Sequence, residues 1–328
     1  MTQWLLEGDP SLRWQVMRDL LDVPEDAWRA ERLRVASDGD GARLLALAGQ
    51  DGQWAGGSFV PEGFTPELWR QEGQPWTATT YCLTQLREFG LDPGMPRIRE
   101  IVRLVGENSR WDHEGQRYWD GEVDTCINAR TLADGSYFGL ELTELTAWML
   151  REQQPDGGWN CERENGSVRS SFDTTINAVE ALLEVERSGQ GGDEVSAARA
   201  AGEEYLLERS LLRRLSTGEL VDREYLDLSY PRRWRYDVLR AADHLRSAAV
   251  RDGKAPDLRM QEAVEHIRSR RQEDGRWLLD SELRGRVWFT LDDGVGLPSR
   301  WVTLKALRVL KWWDAQHEAA ASVAAPVS

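Results

Sequence analysis

Two short runs in this chain place a carboxylate, a hydroxyl and a third small polar group at what reads as a helix start. Asp124-Thr125-Cys126-Ile127-Asn128-Ala129 and Asp173-Thr174-Thr175-Ile176-Asn177-Ala178 agree at five positions of six, 49 residues apart. A third helix opens on Arg235-Tyr236-Asp237-Val238-Leu239. Carboxylates brought to one mouth by successive repeats repel, so one would hold a proton and act as a general acid, or the set would bind a cation. Asp124, Asp173 and Asp237 are therefore the candidate catalytic residues. The alternative is that each is an N-cap accepting hydrogen bonds from its first turn. Cys126 is by type a candidate metal ligand, although zinc normally takes four ligands. Thr175 stands at the matching place in the other copy, which favours a small buried residue. The four His (His113, His244, His266, His317) are scattered.

Aromatic and basic residues gather at the same helix starts. The chain has sixteen Trp against seven Tyr and six Phe, and Trp combines large apolar area with one donor. Trp14, Trp76, Trp119, Trp234 and Trp301 fall at or just before helix starts. They would either pack the core or line a cavity that stacks on carbocations or sugar rings. Arg13, Arg235 and Arg300 begin three of these helices. They would pair with the three Asp residues across the interior or grip a substrate anion.

The elements that position these residues repeat. Gly49-Gln50-Asp51-Gly52-Gln53-Trp54, Gln153-Gln154-Pro155-Asp156-Gly157-Gly158-Trp159 and Gln272-Glu273-Asp274-Gly275-Arg276-Trp277 are copies of one turn, with a weaker copy ending at Trp111 and a degenerate one from Ser216 to Leu220. Helix, Gly turn, Trp, linker and helix recur with a period near 50 residues, the signature of repeated helical hairpins. Six helices starting near Arg13, Thr77, Asp124, Asp173, Tyr236 and Arg300 are apolar around most of their circumference and should be inner. The interleaved set carries one apolar stripe and should be outer. The predicted fold is all-α, an (α/α)6 toroid in a single domain over residues 1–316. The last helix is expected to end near Trp313, followed by a flexible tail over 317–328. The Gly/Pro-rich stretch from Ala55 to Pro75 reads as a long loop that would serve as a lid or a linker.

The three clear turns resemble the QW repeats of squalene–hopene cyclases and their relatives, and the Asp-Thr helix starts resemble inner-helix starts of the same superfamily. Protein prenyltransferase β subunits share that toroid. The resemblance covers about residues 10 to 313 and is specific for fold. It implies a single-barrel, divergent terpenoid-cyclase-like or prenyltransferase-like enzyme acting on an isoprenoid or other hydrophobic small molecule. In the cyclases an Asp-Xaa-Asp-Asp-Thr motif protonates an alkene. Aligned on Asp-Thr, its acid falls on Val123 or Phe172. In the prenyltransferases an Asp-Xaa-Cys pair and a later His hold zinc. Asp124 and Cys126 match the pair, and the following inner helices start with Asp173 and Tyr236-Asp237 instead of a His. Zinc or magnesium are the cofactors this leaves open.

Composition bounds these readings. Basic residues number 41 and acidic ones 56, a formal charge of −15. That argues against nucleic acid, whose binding depends on cationic contacts to phosphate, but not against a small anionic ligand. No apolar run approaches the ~20 residues that span a bilayer, which leaves only peripheral membrane contact open. The N-terminus lacks a basic region followed by an apolar one, so no signal peptide is expected. Cys82, Cys126 and Cys161 are an odd number without framework spacing, which suits a reducing, cytoplasmic compartment. Two further functional classes stand beside the first: a carbohydrate-active toroid using two carboxylates as acid and base, and a non-catalytic toroid that binds a ligand or partner. An apolar cavity would favour isoprenoids and a wet one sugars.

Overall fold

A computed structural model describes residues 1–324. In chain order the α-helices are α1 (Thr2–Leu6), α2 (Pro10–Asp19), α3 (Glu25–Leu33), α4 (Gly39–Ala46), α5 (Pro66–Glu72), α6 (Thr79–Phe89) and α7 (Pro96–Asn108). They continue with α8 (Thr125–Tyr137), α9 (Thr143–Arg151), α10 (Phe172–Arg187), α11 (Asp193–Glu208), α12 (Val238–Asp252), α13 (Gln261–Ser269) and α14 (Arg300–Ala324). Among the described residues the fold is all-α, and extended pairing is confined to isolated bridges such as Trp159 with Ser171. Helix α14 does not end near Trp313 but runs to Ala324. Only residues 325–328 of the expected tail lie outside the described residues.

Two helix classes are evident from burial. Helix α10 buries thirteen of its sixteen residues and α8 eleven of thirteen. Helix α7 buries only Ile98, Ile101, Val102 and Val105, spaced to make one stripe on a 3.6-residue turn. A helix buried on most sides must be surrounded by others, and one with a single buried stripe covers the outside.

The turns join the two classes by the same two hydrogen bonds each time. Trp54, Trp159 and Trp277 are completely buried. Their indole N–H groups donate to the carbonyls of Leu44, Met149 and Ile267 at 2.8, 2.8 and 2.7 Å, in the preceding helix. Their backbone N–H groups donate to Oγ1 of Thr79, Thr175 and Thr303 at 3.1, 3.0 and 3.0 Å, in the well-buried helices α6, α10 and α14. Each turn contains a glycine with positive φ: Gly52, Gly157 and Gly275 at 84°, 91° and 84°, a region open to Gly without steric cost. Trp111 ends the weaker copy differently, donating to the carbonyl of Tyr118 at 2.9 Å.

Neighbour relations among the well-buried helices run in sequence order: α6 on α8, α8 on α10, α10 on α12, α12 on α14, and α14 on α2. Helix α2 also reaches α6, because Trp14 Nε1 donates to the Phe89 carbonyl at 2.8 Å and Gln15 Nε2 to the Glu88 carbonyl at 3.1 Å. The first and last of these helices are thus neighbours. Arg300 of α14 lies 4.6 Å over the ring of Trp4 in α1.

The loop over 55–75 is not structureless, since it contains α5 with Thr65 as its N-cap. Its end meets the segment 283–291: Trp76 N–H donates to the Arg286 carbonyl at 2.8 Å, and Arg286 pairs with Glu72. No helix among the described residues is long and apolar enough to cross a membrane.

Candidate functional site

The three candidate aspartates stand at the N-terminal ends of their helices, but they have separate surroundings. Asp124 is the N-cap residue of α8, yet its side chain accepts no bond from the first turn. Burial, with Glu122, Glu164 and Glu162 close by, raises its pKa. Asp173 lies inside the first turn of α10, where Ser171 is the cap. Its carboxylate accepts the backbone N–H of Tyr236 at 2.6 Å and the Tyr225 hydroxyl at 3.5 Å. Asp237 is a true N-cap, accepting the Arg240 N–H at 2.6 Å and pairing with Arg232 at 3.1 Å. It is 1% exposed, and burial raises its pKa against the pull of Arg232.

The pair expected to hold a metal is arranged otherwise. The Cys126 sulfur faces Cys161 at 2.7 Å and Thr174 Oγ1 at 3.3 Å. Among the described residues no group of three or more His, Cys, Asp or Glu side chains could hold a metal ion.

The expected pairing of Arg13, Arg235 and Arg300 with these aspartates does not occur. Arg13 pairs with Glu31 at 2.6 Å and Arg235 with Glu224 at 3.1 Å. Arg300 donates to the Trp4 carbonyl at 3.2 Å. The aromatics divide into two groups. Trp76 and Trp234 pack where 74–76, 229–236 and 283–291 crowd the N-terminal ends of the inner helices, with Trp234 Nε1 on Gln74 at 3.1 Å. The spaces left there are small, about 30 and 100 Å³. Trp119 donates to the Val102 carbonyl at 3.1 Å and closes against Gly106 and Gly135. Trp14 and Trp301 line a different space.

That space is a cavity of about 530 Å³. It is walled by the second halves of α2, α6, α8 and α10, the middle of α12 and the beginning of α14, with Arg32 of α3 and Tyr230 from the segment before α12. Its lining carries eight cationic side chains, Arg18, Arg32, Arg87, Arg187, Arg240, Arg246, Lys305 and Arg308, against four carboxylates, Glu88, Glu180, Glu184 and Asp243. Trp14, Tyr230 and Trp301 supply the aromatic wall, with Tyr230 and Trp301 stacked at 4.5 Å. The lining is therefore polar, with cations outnumbering carboxylates in a chain whose formal charge is −15, and Asp134 and Asp19 behind it pair with Arg87, Arg18 and Arg308.

Most of these charges are fixed by ion pairs. Arg240 grips Glu180 through two bonds, 2.8 and 2.6 Å. Against the cost of its burial, this guanidinium brings Glu180 down to about 2. Asp243 is held by Arg308, Arg246 at 3.1 Å and Lys305 at 3.3 Å. Those three cations outweigh its burial and keep it well below the usual carboxylate range. Arg87 pairs with Asp134 at 2.7 Å, and Arg32 donates to the Gly90 carbonyl at 2.7 Å.

No protein-family model and no curated protein matches the chain. A solved structure of a protein from Actinoplanes aligns with it at 17% identity and a TM-score of 0.46, over 94% of this chain and 90% of that one.

Three groups near the cavity floor are not neutralised by contact. Glu88 lines the large cavity and the two small spaces beneath it. It makes no ion pair with any described residue. Arg130 is 4% exposed, and its Nε and Nη2 have no hydrogen-bond partner. Burial, with Arg240 nearby, lowers its pKa to about 10. Arg233 lies 5.5 Å over the Trp76 ring and borders the same floor. Its pKa is lowered by burial and held up chiefly by Glu88. Sequence reading overlooked the charged lining of the cavity, though a signal for its walls was present. Glu180, Glu184, Arg240, Asp243, Lys305 and Arg308 recur at spacings of three and four on helices otherwise buried on most sides. Charged groups there can face only the interior.

Proposed function

We propose that the chain is a two-layer (α/α)6 toroid, related in its turns to the squalene–hopene cyclase and prenyltransferase superfamily, whose central cavity binds a small polar organic anion. The toroid is supported by the neighbour relations that return from α14 to α2 and α6, and the relationship by the three equivalent Trp turns. The ligand class rests on one observation: eight cationic side chains face four carboxylates around the cavity. Walls carrying an excess of one sign focus potential into a cleft and concentrate counter-ions there. Arg130, buried, and Arg233, half-buried, add to that potential.

An isoprenoid hydrocarbon would strip water from these paired charges and offer the unpaired Glu88 nothing in return, and desolvating ions costs several kcal/mol each. The carbohydrate-hydrolase reading needs one protonated and one ionised carboxylate. Glu180 and Asp243 are both held ionised and Glu184 is paired with Arg187, so Glu88 is the carboxylate available to contact a ligand hydroxyl or amine. A carboxylate- or phosphate-bearing molecule lying against Trp14, Tyr230 and Trp301 suits the lining best.

Calorimetric titration at low salt with a hexose phosphate, a dicarboxylate, a neutral hexose and farnesol tests this. The anions should bind, with affinity falling as salt screens the lining. Lys305→Met should weaken them about tenfold, ~1.4 kcal/mol. Binding of farnesol with none of the anions would defeat the proposal.

A further inference from the structure

Cys126 and Cys161 are 35 residues apart in sequence, on different elements, yet their sulfurs lie 2.7 Å apart. Neither is in a disulfide, and both are half-buried, whereas Cys82 is fully buried. Cys126 is the second residue of α8, a helix of thirteen residues. Its backbone N–H donates to the Cys161 sulfur at 3.2 Å, so the positive end of the helix faces that sulfur. The Thr174 hydroxyl lies 3.5 Å from the same sulfur and accepts a bond from the Ser171 hydroxyl at 2.8 Å, which leaves its own proton for Cys161. Two donors thus converge on Cys161, a helix-terminal amide and a hydroxyl, and the Cys126 sulfur touches it.

The geometry points to a dithiol redox site in which Cys161 is the nucleophile and Cys126 the resolving thiol, with a peroxide as the oxidant. The Cys161 thiolate attacks one peroxide oxygen, the O–O bond breaks, and the other oxygen leaves as water after taking a proton. Cys161 becomes a sulfenic acid. The Cys126 sulfur then attacks the Cys161 sulfur, the S–O bond breaks, and a second water leaves with the Cys126 proton. Two thiols lose two electrons and the peroxide gains them. Low-pKa accessible thiols beside a resolving Cys are the ones that react this way. The hydrogen bond from Cys126 lowers the Cys161 pKa, and the same contact together with burial pushes Cys126 well up. The order of attack follows from the Cys126 amide and the Thr174 hydroxyl, both aimed at Cys161, and the pKa difference agrees with it.

Treating the reduced full-length chain with hydrogen peroxide and counting free thiols by alkylation and intact mass tests the assignment. The wild type should lose two of its three thiols and about 2 Da, with Cys82 still alkylated and the change reversed by dithiothreitol. Cys126→Ser should stop at a sulfenic acid on Cys161 that dimedone traps. Cys161→Ser, with an unchanged circular dichroism spectrum, should react at least about tenfold more slowly than the wild type. Retention of all three thiols, or dimedone labelling of Cys126→Ser on Cys82 instead of Cys161, would overturn it.

Discussion

Arg240 and Glu180 meet as a fork across two neighbouring helices, Nε to Oε1 at 2.8 Å and Nη2 to Oε2 at 2.6 Å. The same guanidinium also donates to Asn177 Oδ1 at 2.9 Å and to the Arg235 carbonyl at 2.8 Å. One side chain of α12 therefore fixes the wall of the cavity formed by α10 and carries the turn that precedes its own helix. The relationship is structural, and it defines which charges are left for a ligand.

Breaking the fork from one side should be costly. Glu180→Gln leaves a buried guanidinium without its counter-charge, a loss of about 3 kcal/mol. The wild-type pair should also show in the acid limb. Glu180 falls from 4.5 to about 2 on folding, so its contribution is present above pH 4.5 and lost as pH drops toward 2. That is worth about 3 kcal/mol at neutral pH. Urea midpoints measured at pH 6 and pH 3 should converge between wild type and Glu180→Gln at the lower pH.

Asp292 should act in the opposite sense. Burial raises its pKa from 3.8 to about 6, against bonds from the Ser299 hydroxyl and the Arg300 N–H. The folded chain holds this proton longer than the unfolded one, so the contribution is present below pH 3.8 and lost as pH climbs through 6. Asp292→Asn should remove that decline. The stability difference between variant and wild type, followed from pH 4 to 7, should shift in the variant's favour as pH rises.

The two repeated aspartates should separate under substitution. Asp173→Ala orphans the backbone N–H of Tyr236, a fully buried residue, and should cost about 1–3 kcal/mol. Asp124 caps nothing and stands among Glu122, Glu162 and Glu164. Asp124→Asn removes like-charge repulsion and should raise the thermal midpoint at pH 7 but not at pH 3. Equal losses for both would contradict their different surroundings.

The three turn tryptophans should be energetically equivalent. Each is fully buried and bonded to a carbonyl ten residues earlier. Trp54→Phe, Trp159→Phe and Trp277→Phe should each lose about 1–3 kcal/mol, chiefly from the orphaned carbonyl. Trp111→Phe breaks a bond to a different partner, the Tyr118 carbonyl, and releases no helix end. Chemical denaturation of the four variants compares them.

The repeat was legible because its signal is local. A Gly that needs positive φ and a Trp that needs a buried acceptor occupy fixed places in one turn, and the all-α fold and two helix classes follow from their periodicity. The site was less legible because its residues converge from separate helices. Asp124, Asp173 and Asp237 looked chemical by type and position, yet the last two are tied up by Tyr236, Arg232 and Arg240. Glu88, Arg130 and Arg233 lie in unremarkable local sequence, and only packing brings them to one floor. The same holds for Cys126 and Cys161, whose spacing carries no framework signature but whose sulfurs touch.

The most direct measurement is a crystal structure of the chain grown with the anion that binds tightest in calorimetry. The account predicts electron density inside the 530 Å³ cavity, with the anionic group on Lys305 or an adjacent Arg and the body of the molecule against Trp14 and Trp301. Density at Asp124 and Cys126, or an empty cavity with the anion on the outer surface, would contradict it.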